Sequence, residues 1–150
     1  MRRHPMTREQ GPYFSQAASL ESLSRFRDYI DQTGRQLGVD PGVLADLRLV
    51  VDEAVTNVVQ HGYQGRPGPV EVRMKRLGDD VVVCIRDQAR PFDPGQVPAP
   101  QLDKALADRP YGGMGLYLIR TMTDEAEFRP APGGGNELRL IRRSAFAGTG

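Results

Sequence analysis

The order of its apolar patterns is the feature that most constrains what this chain can fold into. Helical spacing recurs over 17–37, 40–61 and 113–123, and strand patterns occur over 70–76, 81–86, 125–129 and 137–142. The chain therefore reads as helices, a hairpin, a further helix and a second hairpin. This order predicts an α+β fold, a two-layer sandwich in which helices cover one face of a mixed, mostly antiparallel sheet.

Local signals mark where the second helix begins and where the chain turns. Asp40 followed by Pro41 predicts an N-cap with proline at the first helical position. Gly62 predicts the end of that helix, near His61. The glycine- and aspartate-rich segments 78–80 and 133–135 predict the turns of the two hairpins.

The length of 150 residues suits one domain. We expect that domain to span residues 15–143, between a flexible N-terminal segment over 1–14 and a flexible tail over 144–150. Residues 88–111 contain several prolines and little periodicity, so we expect a long lid loop with a short helix near 101–107.

The charge composition narrows the classes of partner. Lys and Arg total 20 and Asp and Glu total 19, which gives a formal net charge of +1. A protein that binds nucleic acid directly usually carries a strong basic excess, so we expect no such binding. No apolar run reaches the roughly 18 residues that a membrane helix needs, and the N-terminus lacks the apolar core of a secretory signal. We therefore expect a cytoplasmic protein with no membrane contact.

Glu53 and Asn57 are four residues apart in the second predicted helix and share one face of it. A carboxylate at the rim of a core can accept a proton, and an amide oxygen is a hard ligand suited to Mg²⁺. The alternative is a solvated helix face with no chemistry. His61 lies one turn further on, where the helix dipole favours a cationic side chain, and we favour a structural role for it.

Asp87 ends the apolar strand, and a carboxylate at a strand end can accept a hydrogen bond from the exocyclic amine of adenine. The alternative is an aspartate that starts a turn, and Asp93 before proline is by itself only a turn signal. Three basic residues lie in or near the lid and could contact phosphate, or could be solvated: Arg90, Lys104 and Arg109.

Three glycines, Gly112, Gly113 and Gly115, precede the apolar start of the third predicted helix. Glycines allow a close approach of the backbone to a ligand, and a helix N-terminus attracts anions. The alternative is a lid hinge that binds no ligand. The segment lacks the Lys-Ser/Thr of a P-loop and does not follow a strand in a βαβ unit, which excludes Walker-type and Rossmann sites.

These segments together resemble the Bergerat-fold (GHKL) ATPases, and most closely the small bacterial anti-sigma factor serine kinases, from about residue 15 to residue 143. The resemblance implies that Glu53 is the general base and that Asn57 binds Mg²⁺. It also implies that the nucleotide is contacted by Asn57, Asp87, Ala89, Phe92, Gly113, Met114, Gly115 and Leu116. Residues 134–138 resemble the last glycine turn and strand of the family. Ala89 stands where the family usually has glycine, and its Cβ is expected where adenine packs.

The resemblance implies an ATP- and Mg²⁺-dependent serine/threonine kinase that phosphorylates an anti-anti-sigma (STAS-domain) partner and sequesters a sigma factor. It also implies a homodimer, for which the first helix and a sheet edge are candidate surfaces. An alternative is a nucleotide-gated binding module with little or no kinase activity, in which ATP orders the lid. A third interpretation is an ATPase fragment of a larger assembly.

Overall fold

The computed structural model of the chain describes residues 13–96 and 113–146. The helices and strands of this part are, in chain order, β1 (Tyr13–Ala18), α1 (Leu23–Leu37), α2 (Pro41–Asn57), β2 (Gly68–Leu77), β3 (Asp80–Asp87), α3 (Gly113–Thr121), β4 (Glu125–Pro130) and β5 (Asn136–Arg142). Short helical turns lie at Leu20–Ser22, Val58–Gly62 and Pro94–Gln96. The lid predicted over 88–111 is described only as far as residue 96, and the helix near 101–107 lies outside the described residues.

The strands form one sheet in the order β1-β2-β3-β5-β4. Every neighbouring pair in it is antiparallel, so the sheet is antiparallel throughout rather than mixed. The three helices cover one face of this sheet, which confirms the predicted two-layer α+β sandwich. None of the helices in the described residues is both long and apolar enough to cross a membrane.

The core lies between the helices and the inner face of the sheet. Because side chains alternate across a strand, Val81, Val83 and Ile85 of β3 point to the same side and are buried together. Leu140 and Leu138 of β5 are the register partners of Val83 and Ile85 and extend the same apolar surface. The helix α2 buries one stripe against it, namely Val43, Leu44, Leu47, Val50, Val51, Ala54 and Val55.

Helix α2 begins as its sequence predicts. The Asp40 carboxylate accepts hydrogen bonds from the backbone N–H groups of Gly42 and Val43 at 3.0 and 3.3 Å, and proline follows the cap. The α-helix ends at Asn57, earlier than predicted, and the chain continues as a π-helical turn, which is wider than an α-helical one, to Gly62. Wider turns of this kind are often found at functional sites.

The prediction of a first helix over 17–37 is wrong at its beginning. Residues 17 and 18 end the edge strand β1, and α1 begins only at Leu23. In β1 burial alternates, and Phe14 packs inward against Phe26 with their ring centroids 5.0 Å apart. Pairing with β2 and burial of alternate side chains therefore outweigh the local helical spacing. The segment 1–14, predicted to be flexible, likewise ends inside β1, whereas residues 1–12 lie outside the described residues.

The chain after β5 returns to the core. Ala145 is fully buried; its carbonyl accepts a hydrogen bond from the Asp40 N–H at 2.7 Å, and its own N–H donates to the Asp79 carbonyl at 2.9 Å. Phe146 is also buried. Two residues of the tail predicted to be flexible over 144–150, Ala145 and Phe146, are therefore packed, and residues 147–150 lie outside the described residues.

Candidate functional site

A cavity of about 490 Å³ opens between α2 and the ends of β3 and β5, a size typical of small-molecule sites, which span roughly 300–1,000 Å³. Its apolar wall includes Ala54, Val58, Ile85, Ile119, Phe128 and Leu138. Its polar lining includes Asn57, His61, Asp87, Arg90, Asp93, Asn136 and Glu137. Apolar walls with a few polar groups suit a flat heterocycle that is held by directional hydrogen bonds.

One face of α2 and of the turn after it lines the cavity. Ala54, Asn57, Val58 and His61 follow one another at intervals of three, one and three residues, which places them on the same side of a helix. Glu53 precedes them and is half-buried. The helical pairing of Glu53 with Asn57 is therefore present, but only Asn57 lines the cavity, and Glu53 lies half-buried next to it.

The environment of Glu53 suits a proton acceptor. Burial raises the pKa of its carboxyl above the ordinary value, and the neighbouring charge of Asp52 raises this pKa further. Within the described residues, no hydrogen bond or ion pair engages the Glu53 carboxylate. Its oxygens are thus available to a hydroxyl group of a bound substrate.

Gly115 brings the start of α3 against this pair. A Cβ added at Gly115 would lie 3.0 Å from Oε1 of Glu53 and 3.3–3.4 Å from the amide atoms of Asn57. The glycine therefore lets the N-terminal turn of α3, the end of a helix that attracts anions, approach the two side chains closely. Of its predicted neighbours, Met114 is half-buried, and Leu116 is buried at 6% exposure and does not line the cavity.

Asp87 lies at the inner face of the sheet because it continues the alternation of Val83 and Ile85 at the end of β3. It is only 7% exposed. Its Oδ1 accepts hydrogen bonds from the Ala89 N–H and from Nδ2 of Asn136, both at 2.9 Å. In the described part of the chain no hydrogen bond reaches Oδ2. One oxygen thus holds the turn, and the other is left to accept from a ligand.

Asn136 is a site residue that the sequence did not single out. It is the register partner of Asp87 across β3 and β5, so the two side chains share one face. Its Nδ2 also donates to the Arg90 carbonyl at 2.9 Å, and its Oδ1 accepts from the Phe92 N–H at 2.9 Å. Asn136 therefore ties the loop after β3 to β5. The sequence signal that could have pointed to Asn136 is its position directly after the glycine turn. That it pairs with Asp87 follows only from the strand register.

The residues that follow Asp87 take different positions. The Phe92 side chain lines the cavity, and its ring centroid lies 5.0 Å from that of Phe128. Ala89 is buried and does not line the cavity. A Cβ built on Gly62 would lie 2.7 Å from the Ala89 Cβ, so the Ala89 methyl group faces the end of the α2 turn.

His61 also lines the cavity, but not as the cation that the helix dipole favours. Burial lowers its pKa, and the nearby charge of Arg90 lowers it further. Both effects favour the neutral imidazole of His61. Arg90 is exposed at the cavity rim, whereas Lys104 and Arg109 lie outside the described residues.

The donor set around Asn57 fits a magnesium ion. Mg²⁺ keeps several waters and takes one or two protein oxygens together with phosphate oxygens. The Asn57 amide lines the cavity, the Glu53 carboxylate lies beside it, and Gly115 leaves room next to both. Asn57 is therefore the side chain that would hold the ion.

Comparison with known proteins gives consistent matches. The family model described as histidine kinase-like ATPase domain matches residues 16–142. A serine-protein kinase RsbW of Bacillus velezensis is 36% identical over 125 residues, which cover 77% of this chain and 76% of the relative. An anti-sigma F factor of a Thermoanaerobacter species is 26% identical over 106 residues, which cover 69% of this chain and 74% of the relative.

A solved structure has the same fold. The crystal structure of the RsbU and RsbW domains of a Mycobacterium tuberculosis protein superposes with a TM-score of 0.59 at 19% sequence identity. The match covers 91% of this chain and 35% of that chain. At this identity the likeness shows the fold alone, and it agrees with the antiparallel two-layer sandwich described above.

Proposed function

Because the chain belongs to the histidine kinase-like ATPase family, in the branch of the anti-sigma factor serine kinases, we propose that it is an ATP-dependent protein serine/threonine kinase. Its substrate would be an anti-anti-sigma protein with a STAS domain. It would also bind and sequester a sigma factor, and phosphorylation of the first partner would decide which of the two is bound.

The observation that carries this proposal is the meeting of three distant segments at one cavity. Asn57 of α2 and Asp87 at the end of β3 line the cavity. Glu53 and Gly115, the latter from the start of α3, do not line it but lie next to Asn57. Kinase chemistry with an adenine nucleotide has four separate requirements: a proton acceptor, an amide oxygen, a helix N-terminus and a free carboxylate oxygen. Their convergence supports transfer rather than binding alone.

Each side chain then has a definite task. Oδ2 of Asp87 accepts a hydrogen bond from the adenine amino group, while the base lies against the apolar wall. The γ-phosphoryl group moves to the oxygen of a Ser or Thr hydroxyl and ADP leaves. Glu53 accepts the proton of that hydroxyl, and its raised pKa brings it closer to the working pH. A magnesium ion held by Asn57 would supply charge neutralisation to the phosphates.

The alternative, a nucleotide-gated module with little kinase activity, depends on Ala89 and on the lid. The Cβ of Ala89 faces Gly62 and not the cavity, which favours a site open to adenine. The lid lies mainly outside the described residues. Glu53 distinguishes the two functions, because a gated module needs nucleotide but no base.

The experiment combines the chain, MgATP and purified STAS-domain proteins of the same organism, with mass spectrometry of the STAS-domain proteins. We expect one phosphate on a Ser or Thr, which Glu53→Gln should abolish while nucleotide binding persists. Glu21→Gln is a matched control, since Glu21 is an exposed carboxylate that does not line the cavity. Transfer that persists in Glu53→Gln would contradict the role of the base, and binding without transfer in the wild type would favour the gated module.

We further propose that the protein acts in the cytoplasm as a homodimer, through α1 and the edge of β1. That edge strand is paired on one side only within the described sheet, and Tyr13 and Leu20 near it are about half exposed, at 51% and 47%. Sedimentation equilibrium should give twice the chain mass. The mass of a single chain would contradict this assembly.

A further inference from the structure

We infer that Gly62 and Tyr63, which end the turn after α2, position the segment that carries Asp87, and that Gly62 is what makes alanine acceptable at position 89. The inference deepens the proposed function, because it rests on Asp87 as the group that reads adenine. It assigns a positioning role to two residues outside the segments that resemble the family's boxes.

The first contact is between Gly62 and Ala89. A Cβ at Gly62 would lie 2.7 Å from the Ala89 Cβ, a separation that real Cβ atoms essentially never show. Its next nearest neighbour is Cγ1 of Val58 at 3.9 Å, an ordinary contact. Gly62 is not among the described glycines with positive φ, so its backbone would accept any L-residue. Among the described residues, only the Ala89 methyl group would therefore clash with a Cβ at position 62.

Ala89 itself is not strained. The described non-glycine residues with positive φ are Gln64 and Ser144, so Ala89 has a backbone conformation that alanine adopts without penalty. The contact thus holds one methyl group where two would not fit. The absent Cβ at Gly62 and the added Cβ at Ala89 are complementary, and each determines what the other position accepts.

The second contact is the Tyr63 hydroxyl. It accepts a hydrogen bond from the Gln88 N–H at 2.8 Å and donates one to the Pro69 carbonyl at 2.7 Å. Gln88 lies between Asp87 and Ala89, so the hydroxyl holds the middle of the same segment. It also connects that segment to the beginning of β2.

Residues 87–89 are therefore held from two sides. Asn136 and Gly135 contact them from β5 and the turn before it, and Gly62 and Tyr63 contact them from the end of the α2 turn. A recognition carboxylate has to stay within about 0.5 Å of its productive position. A displacement of the segment by a clash at position 62 would exceed that tolerance.

The test compares the wild type with Gly62→Ala, Ala89→Gly and the double variant, using a non-hydrolysable ATP analogue. We expect Gly62→Ala to weaken binding at least about tenfold, and Ala89→Gly to change it by less than about threefold. The double variant should return to within about threefold of the wild type, because it carries one methyl group at the same contact. Unchanged binding by Gly62→Ala, or a double variant as weak as Gly62→Ala, would overturn the inference.

Base selectivity separates positioning from general destabilisation. Gly34→Ala is the matched control, because its added Cβ would lie 2.4 Å from the Leu44 side chain in the core between α1 and α2. Both variants should melt earlier, but only Gly62→Ala should reduce the preference for ATP over GTP. An equal preference in both would show that Gly62 is merely structural.

Tyr63→Phe supplies an independent variant if Gly62→Ala does not fold. It removes the hydroxyl from Gln88 and keeps the ring, so ATP binding should weaken roughly threefold. Unchanged affinity would remove Tyr63 from the role. A wild type that binds no adenine nucleotide would instead overturn the proposed function and the positioning role together, whereas normal wild-type binding with an unaffected Gly62→Ala would overturn the positioning role alone.

Discussion

Replacing Gly135 with alanine tests whether the turn before β5 holds Asp87 in place. A Cβ at Gly135 would lie 1.9 Å from the Asp87 carbonyl oxygen and 2.7 Å from Cα of Gln88. Both neighbours are backbone atoms, which cannot rotate away as a side chain can. The backbone at Asp87 and Gln88 would therefore have to move by more than an ångström, since ordinary contacts are about 3.4 Å or longer.

Gly133 provides a control that isolates this clash. Its φ of +84° nearly equals the +83° of Gly135, but a Cβ there would meet no atom of the described residues within 4 Å. Positive φ should cost alanine roughly 1 kcal/mol at either position. The clash should add about 1–3 kcal/mol in Gly135→Ala only. For a chain of this length the difference between the two variants corresponds to roughly 2–12 °C in melting temperature.

Urea and thermal unfolding of the two variants measure this difference, and titration with an ATP analogue measures its consequence for the site. Gly133→Ala should bind like the wild type, whereas Gly135→Ala should bind at least about tenfold more weakly, because Asp87 moves with its carbonyl. Equal unfolding free energies for the two variants, or normal ATP binding by Gly135→Ala, would refute the steric reasoning.

Three further substitutions test separate parts of the site. Asp87→Asn should weaken binding of ATP more than of GTP, and an equal loss for both would mean that Asp87 does not read adenine. Asn136→Ala removes the hydrogen bonds to Asp87, Arg90 and Phe92 and should lower the free energy of unfolding by roughly 2 kcal/mol, measured in urea; a change near zero would contradict the clamp. Glu53→Gln should raise the free energy of unfolding at neutral pH. Burial raises the pKa of Glu53 in the folded state above the ordinary 4.5. Ionised Glu53 therefore destabilises the fold increasingly as the pH rises from 4.5 through the folded-state pKa. That gain should vanish below pH 4.5, where both states are protonated, and the same gain at both pH values would be inconsistent with the raised pKa.

Much of the fold is predictable because its signals are local. The cap at Asp40, the apolar stripe of α2 and the alternation of β2 and β5 are each written within one short segment. The edge strand β1 is not predictable in this way. Its partner β2 is some 55 residues away in the chain. The helical spacing that predicts α1 already begins at Leu20, so the sequence shows no boundary between β1 and the helix.

The residues of the candidate site likewise differ in whether local sequence signals predict them. Glu53 and Asn57 are predictable because one helical turn joins them, and Asp87 is predictable because a strand pattern ends there. The contacts that hold Asp87 are set by Asn136, 49 residues later in the chain, and by the end of the α2 turn, which precedes it. Such contacts follow from strand register and from helix docking, neither of which a single sequence displays.

The central claim is a nucleotide site in which Asn57 holds magnesium beside the phosphates. Binding of a non-hydrolysable ATP analogue, measured with and without Mg²⁺ on the wild type and on Asn57→Ala, tests it most directly. We predict that the wild type binds more tightly with Mg²⁺ and that Asn57→Ala loses this dependence. Wild-type binding that is absent, or an affinity in Asn57→Ala that still responds to Mg²⁺ as the wild type does, would contradict the account.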